Sequence, residues 1–244
     1  MKKYLLIAAI LCVPIAAFGW GIGLIGSGGG GGAAPASIEF DAAGTVRQLS
    51  DTSATISNFV MGSGSNGVII LFIAYYDTTG DVHGTTLPYF NTDEEFTKLN
   101  EGNSASNQYL EVWYLVNPTN TTADIVVTFD ESISEIALGA TSWFNVDQTT
   151  PLDGFATATD SNTVVSVTVS SAVGDLVHDA LLYYGNGEPT ETAPQVERFK
   201  SHADDLNTKC IGSTDAGAAS VNNEWTQDNS RVNVRVGVNI NVSP

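Results

Sequence analysis

From residue 37 onward the chain reads as strand after strand, with turn chemistry between. In the last segment Val232, Val234, Val236, Val238, Ile240 and Val242 share one face, and Arg231, Asn233, Arg235, Asn239 and Asn241 share the other. This period of two is that of a half-buried strand, and its place at the end of the chain makes it an edge candidate. Residues 163–169 repeat the pattern, with Val165, Val167 and Val169 inward. Residues 68–76 (VIILFIAYY) and 109–116 (YLEVWYLV) are apolar at nearly every position, as in central strands covered on both faces. Further strands are expected at 53–61, 124–129, 133–144, 175–184 and 195–201, separated by turn residues at 117–118, 147–151, 185–187 and 214–217. About ten strands in a domain of this length predict an all-β fold, a two-sheet antiparallel sandwich of jelly-roll-like form over 37–244.

Helical spacing is nearly absent. Thr92-Asp93-Glu94-Glu95 matches a capping box, and Phe96 and Leu99 follow at helical spacing, so one or two helical turns are expected there, with the acidic side chains as caps.

The segment before residue 37 has a different character. Lys2 and Lys3 precede 23 uncharged residues, Tyr4 to Gly26, and Ala17-Phe18-Gly19 supplies small residues ahead of Trp20. Residues 1–19 read as a secretory signal peptide. The alternative is a retained anchor reaching about residue 26, since the stretch exceeds the roughly 18 residues that span a bilayer. Either way the lysine pair stays inside and the domain is extracytoplasmic: secreted, on a cell surface or virion, or membrane-anchored if the leader is kept. Leu11 stands where a lipidated Cys12 would need a small residue, so a lipoprotein is not expected. Residues 20–36, with five consecutive glycines from Gly28, form a flexible tether.

Composition narrows the function. Nine basic residues against 27 acidic give a formal charge of −18, which excludes a phosphate-tracking nucleic-acid binder. Four Trp, eight Tyr and ten Phe suffice for a core and exclude disorder. Cys210 is the one cysteine beyond the leader, so an internal disulfide is excluded and burial of the thiol is expected. Asn120-Thr-Thr122 is a glycosylation sequon, without meaning in a bacterial or phage protein.

Catalytic chemistry finds little purchase. His83, His178 and His202 are too far apart in sequence for a local zinc set. His178 and Asp179 are strand neighbours pointing to opposite faces, which makes a structural histidine more plausible than a dyad. No nucleophile elbow is present, and Ser63 and Ser65 read as a hairpin loop. Asp93, Glu94, Glu95, Asp204 and Asp205 fall in apparent loops, whereas Glu111 stands in a strand between Tyr109 and Trp113. No cofactor is expected; calcium is the ion that Asp77-Thr-Thr-Gly-Asp81 would suit, with two carboxylates around a glycine turn, but such a loop is more commonly a plain hairpin turn.

Three stretches resemble β-sandwich domains that recur in phage structural proteins and secreted bacterial surface proteins. They are residues 107–130 (NQYLEVWYLVNPTNTTADIVVTFD), 138–153 (LGATSWFNVDQTTPLD) and 225–240 (WTQDNSRVNVRVGVNI). The resemblance implies a jelly-roll-like module for display or attachment and supplies no catalytic residue. The polar face of the last strand departs from it. The expected function is therefore a non-enzymatic structural or adhesive module of a virion or cell surface. A carbohydrate-binding module with Tyr109, Trp113 and Tyr75 as an aromatic platform is the alternative, and a glycan hydrolase or lyase using Glu111 comes third. Expected partners are surface glycans, virion or cell-surface proteins, or further copies of the chain. In a homo-oligomer, Arg231 and Arg235 would meet the acidic loop 93–95 of a neighbour.

Overall fold

The computed structural model describes residues 37–77, 86–119, 122–201 and 207–244. The leader and tether, and with them Asp81, His83, Asn120, His202, Asp204 and Asp205, lie outside the described residues. The described chain forms fifteen strands and no helix: an antiparallel all-β sandwich, as the alternation predicts, with a third, smaller sheet added. The first sheet contains β1 (Glu39–Val60), β2 (Val68–Tyr76), β3 (Tyr89–Phe90), β4 (Glu94–Glu95), β5 (Thr97–Asn103), β6 (Gln108–Val116) and β7 (Thr122–Phe144), in the order β4-β3-β7-β2-β6-β5 with β1 also on β7. The second contains β8 (Leu152–Asp160), β10 (Leu176–Tyr184), β12 (Val196–Lys200), β13 (Thr208–Ala216) and β15 (Asn233–Ile240), in the order β12-β13-β10-β15-β8. The third is β11 (Thr190–Glu191), β14 (Val221–Thr226) and β9 (Val164–Val169).

The uninterrupted apolar run of β2 follows from its central place. Val68, Ile70, Phe72 and Ala74 point between the first two sheets, where they meet Ala180, Leu182, Cys210 and the valines of β15. Ile69, Leu71, Ile73 and Tyr75 point the other way, into a second core formed because the first sheet curls over its own face. The long β1/β7 hairpin makes that curl. Its proximal half, Glu39 to Asp51, pairs with Ile133 to Phe144 beside β2, and its distal half, Ser53 to Val60, continues past a register shift between Asp51 and Ser53. From there Ile56, Phe59, Ile125 and Val127 close over Leu71 and Ile73. The fold-over needs Gly44, since a Cβ there would sit 2.8 Å from Ile56 Cγ2.

Two expectations give way to pairing. The last strand, β15, is internal, bonded to β10 on one side and β8 on the other, and all eight of its residues are buried. Its valines face the main core as the alternation requires. Its polar face is covered too and paired in part: Arg235 Nη2 donates to Asp160 at 2.8 Å, and Asn239 Nδ2 lies 2.9 Å from Asp153 Oδ1, while Asn233 Oδ1 and Arg235 Nε and Nη1 are buried without a hydrogen-bond partner among the described residues. Arg235, 1% exposed, is therefore unable to meet a neighbouring copy, while Arg231 remains exposed. The capping-box segment is a turn into strands rather than a helix. Asn91 and Thr92 take φ of +53° and +72°, Glu94 and Glu95 pair with Phe90 and Tyr89, and Phe96 is drawn into the core of the curled sheet. Cys210 is fully buried, and burial pushes its thiol pKa up.

Candidate functional site

The residues singled out by the sequence come together on β6 and β2, but as interior. The odd-numbered residues of β6 face into the curled sheet, so Glu111 is 0% exposed and Trp113 is 3% exposed. Glu111 Oε2 accepts the indole N–H of Trp113 at 2.7 Å, and its Oε1 accepts from Lys98 Nζ at 3.0 Å. Lys98 also donates to Glu101 at 2.6 Å. Partial burial works to lower the Lys98 pKa, but the hydrogen bonds and charges of Glu101 and Glu111 outweigh it and hold the amine above its usual range. Tyr75 is fully buried, and Tyr109, half-buried, stacks on it with centroids 4.9 Å apart and planes at 12°. The platform expected of Tyr75, Tyr109 and Trp113 is thus folded inward, because β6 is covered on both sides. Asp77 is buried, its N–H donating to Asn107 O at 3.1 Å, and Asp81 is not among the described residues. Among those residues no group of three His, Cys, Asp or Glu side chains is placed to hold a metal ion.

His178 and Asp179 do point to opposite faces. His178 lies between the first two sheets, against Phe72, Trp143 and Phe199. Its hydrogen bonds define one tautomer. Nδ1 is 2.9 Å from Ser213 O, a carbonyl that only accepts, so Nδ1 carries the proton. Nε2 accepts from Thr141 Oγ1 at 3.1 Å, and that hydroxyl in turn accepts the indole N–H of Trp143 at 2.8 Å. Burial, with the Arg198 charge adding to it, brings the imidazole pKa down to about 3. Asp179 lies between the second and third sheets, where it accepts from Ser213 Oγ, from Asn223 Nδ2 at 3.0 Å and from Trp225 Nε1 at 2.6 Å. Burial outweighs these bonds and raises its pKa.

An open site does exist where the sandwich ends. Tyr76 closes β2 in the first sheet and Tyr184 closes β10 in the second, their rings 5.1 Å apart at 37°. They form one wall of a cleft of about 390 Å³ completed by Ser106, Gln108, Ser230 and Arg231. Ser161 and Val232 line it too and lead into a smaller adjoining depression of about 240 Å³ that reaches Thr159 and Asp160. The Tyr184 hydroxyl bonds to Asn207, and partial burial with the charge of Glu135 raises its pKa, keeping it a neutral donor and acceptor. Phenol rings, hydroxyls, an amide and one guanidinium suit a ligand with alternating C–H and hydroxyl faces.

The sequence carries a signal for this site that the alternation alone did not turn into a prediction. Both central strands end in a Tyr-Tyr pair, Tyr75-Tyr76 and Tyr183-Tyr184. With a period of two, one tyrosine of each pair must be buried away from the sheet interface, and the other must lie at its open end.

Two further clefts are polar. In one, of about 410 Å³, the Asn239 amide lies within 3.1 Å of Asp153, Asp175 and Asn241. The other, of about 350 Å³, is lined by Asn58, Asn91 and Asp124. Comparison with protein-family models, with curated proteins and with solved structures found no match.

Proposed function

We propose that the chain is a non-enzymatic adhesive module of a virion or cell surface that grips carbohydrate in the cleft between Tyr76 and Tyr184. The observation that carries this reading is the tyrosine pair itself. One ring comes from each sheet, each is anchored on a central strand, and both are half-exposed beside hydroxyl and amide groups. Aromatic rings placed by rigid strands bind sugar C–H faces with little ordering cost. The resemblance to display domains and the extracytoplasmic leader expected from the sequence agree with such a role, and the glycine-rich segment would give the domain reach. The charge of −18 favours a soluble, self-repelling module.

The test is binding of the full chain to an immobilised panel of oligosaccharides. Wild type is expected to retain at least one class of glycan. Tyr76→Ala and Tyr184→Ala, checked for unchanged melting, are expected to weaken retention about tenfold each, from the loss of one aromatic contact. Equal retention by wild type and both folded variants contradicts the reading.

A further inference from the structure

We infer that the ligand of this cleft is a glycan ending in a single carboxylate-bearing sugar, held by Arg231, and not a polyanionic polysaccharide; this rests on the carbohydrate reading above. Among the described residues, two that line the cleft and its adjoining depression carry charge, Arg231 and Asp160. Asp160 is already engaged. Its Oδ2 accepts from Arg235 Nη2 at 2.8 Å, and its Oδ1 accepts from Asn162 N at 3.1 Å. Arg231 forms no ion pair among the described residues, and its side chain is exposed. Its backbone is nonetheless held, since Asn233 Nδ2 donates to Arg231 O at 3.0 Å. Its charge reaches the Tyr184 hydroxyl, where it works against the other influences that raise that group's pKa. Among the described residues, the cleft thus presents one guanidinium outside any ion pair, beside two phenol rings. A guanidinium matches a carboxylate by two parallel hydrogen bonds.

The rest of the molecule limits how much negative charge can be brought there. With 27 acidic residues against nine basic, the surrounding field repels anions. One carboxylate at the end of a neutral chain meets Arg231 within a Debye length of about 8 Å at physiological salt, whereas a chain charged at every residue must lay its remaining carboxylates on an acidic surface. The two ligand types therefore respond to salt with opposite sign. Added salt weakens the single contact and relieves the repulsion of a polyanion.

The experiment uses the full chain and oligosaccharides ending in glucuronic, galacturonic or N-acetylneuraminic acid, each beside its carboxyl-reduced counterpart, with polygalacturonate as the polyanion. Wild type is expected to prefer at least one acidic member over its reduced partner by about tenfold. Arg231→Gln is expected to bind both members at the level of the reduced form, and polygalacturonate to bind weakly and gain with salt. Equal binding of acid and reduced forms by wild type, unchanged in Arg231→Gln but lost in Tyr76→Ala, overturns this inference and leaves the carbohydrate reading intact. Strong, salt-weakened binding of polygalacturonate overturns the single-carboxylate ligand. Binding of no member in either form overturns both.

Discussion

The indole N–H of Trp225 donates to the carboxylate of Asp179 across 2.6 Å, joining the third sheet to the second inside a layer closed to solvent. Val165, Leu181, Tyr183 and Ile211 surround this pair. Trp225→Phe keeps most of the apolar volume and removes the donor, leaving Asp179 with Ser213 and Asn223. A loss of about 1–3 kcal/mol in urea unfolding is expected, the cost of an underbonded buried acceptor. An unchanged midpoint would show that the bond contributes nothing to holding the third sheet.

His178 and Asp179 predict opposite pH slopes. The folded His178 pKa of about 3 lies below the ordinary 6.5, so the native state binds fewer protons in that window and stability falls as pH drops from 6.5 toward 3. Asp179 has its folded pKa above the ordinary 3.8. The native state there holds more protons, and stability falls as pH rises through the window above 3.8. His178→Gln should therefore leave a domain whose stability declines from pH 4 upward, and Asp179→Asn one that gains more steeply than wild type between pH 4 and 6.5. Chemical denaturation at a series of pH values checks both slopes. Identical profiles for the two variants would contradict the assignment.

The two arginines of the last segment separate by burial. Arg235→Glu buries a carboxylate at an enclosed position and sets it against Asp160, at a cost of several kcal/mol. That variant is expected not to fold, whereas Arg231→Glu is expected to melt with wild type. Thermal unfolding decides, and matching melts would show that Arg235 is not enclosed.

Ile70→Asp and Phe72→Asp place an unpaired carboxylate on β2 at the interface of the first two sheets, where both residues are fully buried. The expected cost of several kcal/mol exhausts the stability of an ordinary domain. Soluble, cooperatively melting protein from both variants would show the strand to be peripheral.

Strands β2 and β6 were legible because a segment apolar on both faces has to be central, and β15 because its valines never break step; β10 was legible as a strand, but its central place was not. The position of β15 was not legible, since strand order depends on partners far away in sequence, here β8 and β10. The first half of β1 (EFDAAGTVRQLS) has no alternation and contains no fully buried residue; pairing along β7 makes it a strand, which local pattern cannot report. The Thr92 turn failed for a related reason. Burial of Phe90 and Phe96 in the curled sheet overrides a local capping signal. Glu111 and Trp113 were correctly placed on one strand face, but the curl that covers that face comes from β1 and β7. The Tyr76–Tyr184 cleft joins two residues more than a hundred positions apart, and only the packing of the two sheets brings them together.

The most direct test of the central claim is amide chemical-shift mapping of the isotope-labelled chain titrated with the acidic-sugar panel. Shifts are expected at Tyr76, Ser106, Gln108, Ser161, Tyr184 and residues 230–232. Shifts confined to the Asn239 cleft or to the cleft of Asn58 and Asp124, or no shifts anywhere, would contradict it.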